Sequence, residues 1–344
     1  MSNLPPPPPP PPPRAPAVGA PPPPGMPPPP PAGPPQPLPD YSGMAASLGG
    51  AEPVEDAIVR TYDLTKQYGD LVAVDGVNLA VPRGSIYGLI GPNGAGKTTL
   101  MTMVCSLLTP TRGSVSIDGA DPRLDPGAVR VRTGYMPDGL GVYEGLDVGG
   151  YLEFFAAAYR IPRDEWPSLI DGLLELVDLE VKRDAAVNSL SRGMKQRLSL
   201  ARSLVHDPDL LILDEPASGL DPRARVELRE LLWQLQRMGK TIIVSSHILT
   251  ELQEICTHVG IMEAGRLLAE GSPQDISTRT GAALRVAVRY ADGSSQEFTV
   301  ADRAEQAALL RRLVLEDPRQ VIEFREVGAG LEDVFMNVTQ GIVQ

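Results

Sequence analysis

Ser85-Ile86-Tyr87-Gly88-Leu89-Ile90 runs directly into Gly91-Pro92-Asn93-Gly94-Ala95-Gly96-Lys97-Thr98-Thr99, and this junction decides the reading of the chain. The first six residues have the length and apolar content of a buried strand. Beyond the glycines, Leu100, Met101, Val104, Cys105 and Leu108 recur at helical spacing. That pattern predicts a helix over 97–108, stopped by Pro110. A glycine-rich turn between strand and helix lets successive N–H groups converge on one anionic oxygen, and the helix start adds its positive end. Gly91, Gly96, Lys97 and Thr98 satisfy the G-x-x-x-x-G-K-[ST] spacing, in which the lysine reaches the β and γ phosphates and the hydroxyl meets Mg²⁺. The expected ligand is ATP with Mg²⁺, cradled by residues 91–99.

Working outward, Ile58–Leu64 and Leu71–Val81 read as strands separated by Gly69-Asp70, and Pro82-Arg83-Gly84 is a turn before the decisive run. Further back, 23 of the 37 prolines fall in the first 40 residues. Proline lacks the N–H that helices and sheets need, so residues 1–53 are expected to form an extended, disordered arm. Downstream, Tyr151–Tyr159 and Trp166–Leu179 read as helices of an insertion spanning about 140–190. A helix from Ser191 to His206 ends at Pro208. Leu210–Leu213 is apolar throughout, as in a strand buried on both faces of a parallel sheet. Asp221-Pro222 opens a helix that runs to Met238 and Gly239, and Thr241–Ser245 is a further strand. Such alternation implies an α/β fold with a mostly parallel sheet. From 282 to 344 the pattern changes. Leu284–Tyr290 and Ser295–Val300 flank the turn signal Asp292-Gly293, and a helix over 301–315 and a strand over Ile322–Val327 follow. A small α+β accessory domain is expected there, beside a main domain over 55–280.

Three further clusters carry chemistry. Asp214-Glu215 ends the run Leu210–Leu213, where a carboxylate at the end of a core strand faces the ligand crevice. Asp214 is the expected metal ligand, and Glu215 the base that polarises the attacking water. Leu190-Ser191-Arg192-Gly193-Met194 opens a helix 23 residues before Asp214 and offers a hydroxyl and free N–H groups to an anion. His247 follows the strand 241–245 and is assigned to the γ-phosphate, whereas His206 and His258 read as structural.

Net charge is −12, from 31 basic and 43 acidic residues, so a bulk basic footprint for nucleic acid is missing and no nucleic-acid partner is expected. Cys105 and Cys256 sit in apolar surroundings and read as buried thiols. No apolar run approaches the ~20 residues needed to span a bilayer, and the first residues lack the basic start and apolar run of a signal peptide.

Taken together, these residues resemble the ABC-transporter ATPase family from about 57 to 340. Gly91–Thr98 resembles Walker A and Leu210–Glu215 Walker B. Ser191–Met194 stands at the LSGGQ signature, Ser218-Gly219-Leu220-Asp221 resembles the D-loop, His247 the switch histidine, and Tyr68 the aromatic that stacks on adenine. The resemblance implies a RecA-like P-loop NTPase sheet with an antiparallel β subdomain and a helical subdomain. It also implies a dimer, each ATP lying between Walker A of one subunit and Ser191 and Gly193 of the other. The ending Leu331–Thr339 and the segment Gly134–Asp138 are most similar to bacterial subunits whose permease is a separate chain, often exporters. The expected partners are therefore a polytopic permease and a second ATPase subunit, at the cytoplasmic face of the membrane. A soluble ABC-type ATPase acting on ribosomes or DNA, and a nucleotide-sensing regulator with little hydrolysis, are the alternatives. Two departures stand out. Asp138 occupies the Q-loop glutamine position as a further metal ligand, and Arg192 and Met194 replace the signature's glycine and glutamine. Arg192 either adds charge near the γ-phosphate or points to solvent. Tyr143, Tyr151, Phe154, Phe155 and Tyr159 divide between core packing and the groove that receives the permease.

Overall fold

Short apolar strands that cannot leave either face in water dictate a sheet covered on both sides. A computed structural model describes residues 54–139, 145–279, 284–301, 303–327, 335, 338 and 339. In chain order, β1 (Ala57–Tyr68) and β2 (Leu71–Pro82) precede β3 (Ile86–Ile90) and α1 (Lys97–Val104). Then come β4 (Arg112–Ile117), α2 (Pro126–Arg132) and β5 (Thr133–Met136). Two helices, α3 (Val148–Ala158) and α4 (Trp166–Leu176), lead to α5 (Arg192–Leu204) and β6 (Leu210–Leu213). After α6 (Pro222–Arg237) and β7 (Thr241–Ser246) stand α7 (Leu249–Gln253), β8 (His258–Glu263), β9 (Arg266–Gly271) and α8 (Pro273–Arg279). The chain continues through β10 (Leu284–Tyr290), β11 (Ser295–Val300), α9 (Arg303–Glu316) and β12 (Val321–Val327).

The central sheet has the order β5-β6-β7-β3-β8-β9, parallel except for β9. Side chains alternate across it. Ile86, Ile90, Leu211, Leu213, Ile242 and Val244 enter one core with α3 to α6, while Tyr87, Leu89, Leu210, Ile212 and Ile243 enter another with α1 and the β1–β2 hairpin. Each fully buried aliphatic side chain contributes about 1.5–3 kcal/mol. Because β3, β5, β6 and β7 run the same way, the loops after them gather on one edge.

A second sheet, β2-β1-β4, is antiparallel. Glu270 of β9 anchors it. One carboxylate oxygen accepts from Ala80 N–H and from Tyr87 Oη, each at 2.9 Å. The Arg266 guanidinium donates to Asp75 at 2.9 Å. These bonds fix the hairpin that carries Tyr68. A third sheet, β11-β10-β12, packs with α9 around Val286, Val288, Tyr290, Val300, Leu309 and Leu313.

Several boundaries differ from the sequence reading. The helix after the glycine loop ends at Val104, because Ser106 turns to φ 59° well before Pro110. The Trp166 helix ends at Leu176, where Asp178 adopts φ 56°, and Val177 and Leu179 still reach the core as irregular chain. The Tyr151 helix starts earlier, at Val148, because the Asp147 carboxylate accepts from Gly150 N–H at 2.7 Å. The proline arm and Tyr143 lie outside the described residues. Cys105 and Cys256 are buried free thiols. No helix among the described residues is long and apolar enough to cross a membrane.

His206 is structural. Its ring stacks on Tyr159 with centroids 3.8 Å apart, and Nε2 lies 3.2 Å from the Thr133 carbonyl. Burial pushes its pKa below the ordinary 6.5. The unfolded chain therefore binds more protons below about pH 6.5, and stability falls as pH drops through that region. His206→Phe keeps a ring but removes the titration. Denaturant midpoints at pH 7 and pH 5 should differ less in the variant than in the wild type; equal differences would contradict this account.

Candidate functional site

The edge where the strands of the central sheet end is also where the chemistry collects. The loop after β3 opens α1, Asp138 follows β5, Asp214 and Glu215 follow β6, and His247 follows β7. Asp138, Glu215 and His247 line a cleft of about 470 Å³ together with Tyr68, Leu71, Ala73, Ser218 and Asn93 to Thr99, and Asp214 meets its wall through Thr98.

Gly96 is needed where it stands. It has φ 96°, and a Cβ there would lie 2.3 Å from the Ala73 carbonyl oxygen. The Lys97 side chain is only 6% exposed. Its ammonium donates to the Gly91 carbonyl at 2.7 Å and the Pro92 carbonyl at 3.2 Å, and lies 3.6 Å from Glu215 Oε1. Burial lowers the lysine pKa, and the nearby Glu215 and Asp214 carboxylates partly offset that.

Asp214 is 1% exposed and fully engaged. Thr98 Oγ1 donates to its Oδ2 at 2.8 Å, and Ser245 Oγ donates to its Oδ1 at 2.7 Å. The same serine oxygen accepts from Glu215 N–H at 2.9 Å. Glu215 itself sits at φ 49°. A non-glycine residue there costs on the order of 1–3 kcal/mol and persists only where its surroundings hold it. The Glu215 carboxylate lies in the cleft, with Oε2 2.8 Å from His247 Nδ1. Tyr68, 48% exposed, closes the far wall. The Lys66 ammonium lies 5.1 Å from its ring centroid and donates to the Thr109 carbonyl at 2.8 Å.

This strand–loop–helix cradle facing a paired acid matches known proteins. The profile described as "ABC transporter" matches residues 74–218. The Nod factor export ATP-binding protein I of Rhizobium meliloti is 34% identical over 87% of this chain and 93% of its own length. The chain belongs to the ABC transporter family of ATP-binding subunits. The probable multidrug ABC transporter ATP-binding protein YbhF of Escherichia coli is 39% identical over 65% of this chain, which spans only 39% of that relative's length. Among solved structures, cbiO1 from Clostridium perfringens, described as part of the cbiONQ transporter complex, superposes with a TM-score of 0.60. It is 28% identical over 77% of this chain and 97% of its own. The protein is thus an ATP-binding and ATP-hydrolysing subunit that energises a transporter, built on the P-loop NTPase sheet with antiparallel and helical subdomains.

Within this ABC ATPase, the residues read from sequence separate into two groups. Tyr68, Asn93 to Thr99, Asp138, Glu215 and His247 meet at the cleft, with Gly91 and Pro92 holding Lys97 through their carbonyls and Asp214 bonded to Thr98. Ser191 and Gly193 are not among the cleft-lining residues. Ser191 caps α5, its hydroxyl accepting from Met194 N–H at 3.3 Å. Sequence reasoning missed Ser245, the residue that joins Asp214 to the Glu215 backbone. A hydroxyl at the end of the apolar run Thr241–Ser246 was its only signal.

Ser245→Ala strips a donor from Asp214 and an acceptor from the Glu215 N–H. Supporting bonds of this kind are worth about 10–100-fold in activity. A steady-state ATPase assay should show a fall in kcat of that size, whereas an unchanged kcat would mean that Ser245 does not hold the acidic pair.

Proposed function

We propose that this ABC ATPase powers export by closing as a homodimer around two ATP molecules at the cytoplasmic face of a membrane, against a polytopic permease. The single observation behind this reading is the continuous chain Thr98–Asp214–Ser245–Glu215–His247, with the Lys97 ammonium beside Glu215. It gathers a phosphate cradle, hard oxygen donors and a positioned carboxylate around one cleft.

Residues 91–99 hold the triphosphate through backbone N–H groups, and the Lys97 ammonium leaves the loop carbonyls for the β and γ oxygens. Tyr68 stacks on the base. Mg²⁺ fits here as a cation shared with the nucleotide. Thr98 and Asp214 present two oxygen donors 2.8 Å apart, and no group of three or more His, Cys, Asp or Glu among the described residues would hold a metal unaided. Mg²⁺ characteristically takes one or two protein oxygens and completes its shell with phosphates and water. When bound, it neutralises charge on the phosphate oxygens. Asp138, which lines the same cleft, would supply a further oxygen donor to the metal or its water. Glu215 accepts a proton from the attacking water. His247 holds that carboxylate through Nδ1 and turns its other edge to the γ-phosphate. Ser191 and Gly193 present a hydroxyl and a free helix start outside the cleft of their own chain, where a second subunit's ATP would meet them.

Export is supported by the Rhizobium meliloti relative, named for Nod factor export, and by YbhF, named as a probable multidrug transporter subunit. A separate permease is supported by the cbiO1 structure, part of a multi-subunit complex. Neither action on ribosomes or DNA nor a purely sensory role is favoured by relatives that are transporter subunits.

Glu215→Gln keeps the shape of the side chain and removes the base. The variant should bind ATP as the wild type does, lose about 10²–10⁴-fold in turnover, and accumulate as an ATP-bound dimer on size-exclusion chromatography. Turnover equal to that of the wild type would remove Glu215 from the mechanism. Asp138→Gln should bind ATP and shift the Mg²⁺ concentration for half-maximal activity; superimposable Mg²⁺ titrations would place Asp138 away from the metal.

A further inference from the structure

The first turn of α5 does more than carry Ser191. Arg192 and Gln196 stand one helical turn apart, hence on the same face, and that face lies against Ser218-Gly219. Gln196, buried, donates from Nε2 to the Ser218 carbonyl at 3.3 Å. Arg192 Nη2 lies 3.4 Å from Ser218 Oγ, long for a hydrogen bond. Both Arg192 and Gly219 are exposed, and the guanidinium lies over the glycine. Gly219 has φ 68°, and a Cβ on it would stand 2.4 Å from the Arg192 Cζ and 2.5 Å from Nη1. A side chain at 219 would push that flexible guanidinium aside. Ser218 lines the ATP cleft of its own chain, and its N–H donates to the Glu215 carbonyl at 3.0 Å. One mechanical path thus runs from the signature turn through Ser218 to the strained Glu215 backbone.

We infer that Arg192 is a positioning residue that ties the signature turn of each subunit to the wall of that subunit's own ATP cleft, and so couples the two ATP sites of the dimer. The inference rests on the proposed dimer, in which the signature of one subunit meets the other subunit's nucleotide. Engagement of Ser191 by the partner's ATP would then draw on Ser218 and the Glu215 turn of the subunit that carries it. Arg192 works through its contact with Ser218-Gly219 and touches no phosphate.

The test uses the full chain and ATP, with turnover measured against ATP concentration and nucleotide binding measured separately. Arg192→Ala should lower kcat about tenfold, as expected for a small misplacement of a catalytic group. Its Hill coefficient should drop to about 1, and its affinity for ATP should stay within about twofold of the wild type. Ser218→Ala added to Arg192→Ala should cost little more, since both cut the same link. Arg192→Met, which keeps the stem and removes the guanidinium, should reproduce the loss, and a wild-type melting temperature in that variant excludes misfolding as its cause. Arg192→Lys, a point charge without the planar fork, should fail to restore cooperativity. Weaker ATP affinity with kcat retained would reveal a direct phosphate contact and overturn the inference. Additive losses, full rescue by lysine, or wild-type cooperativity in Arg192→Ala would overturn it equally. A wild-type protein that neither binds nor hydrolyses ATP would instead sink the underlying reading, and the control lane alone distinguishes the two.

Discussion

Both oxygens of the buried Asp214 carboxylate accept a hydroxyl proton, one from Thr98 and one from Ser245, and the rest of the cleft depends on this arrangement. Asp214 directly follows β6, Thr98 lies in α1 and Ser245 lies in β7. Three elements brought to one edge by parallel pairing are thereby locked at the level of single atoms. A carboxylate buried this deeply is tolerable only with such partners, because an unpaired one would carry a large desolvation penalty. Ser245 then accepts from Glu215 N–H, so the strain at Glu215 is held by the same bonds that neutralise the cost of burying Asp214. Electrostatic satisfaction and the placement of the proposed base share one set of contacts.

Lys97 shows the complementary logic. Burial disfavours its charge, and the acids across the cleft favour it. The ammonium rests on two loop carbonyls, close to Glu215 and already desolvated. An anionic ligand entering the cleft offers a stronger partner than two neutral carbonyls. The charge proposed to bind phosphate is therefore held 3.6 Å from the acid proposed to act on it.

Much of this was readable in the chain. The glycine loop, Lys97, Thr98 and the acidic pair announce themselves because their spacing is dictated by local backbone geometry, and β6 and β7 because both faces are apolar. Other parts were not readable. β5 has only four residues, Thr133–Met136, too few for any periodicity. β8 has a polar residue at each end, His258 and Glu263, and only four residues between them, and β9 is a short antiparallel edge strand that ends in Glu270 and Gly271. The part played by Ser245 follows from the register of β7 on β6, which pairs Leu213 with Val244 and so sets Ser245 beside Asp214. No local pattern encodes that pairing. Arg192 illustrates the same limit: its charge suggests phosphate or solvent, and only the packed structure shows it seated against Gly219.

The central claim is that a buried ammonium and a ring of loop amides grip a triphosphate directly beside Glu215. Isothermal titration of the folded protein with Mg·ATP, wild type against Lys97→Ala, tests it most directly. The account predicts a measurable heat of association for the wild type and a loss of about 1.5–3 kcal/mol in the variant. Equal affinities, or no association with the wild type, would contradict it.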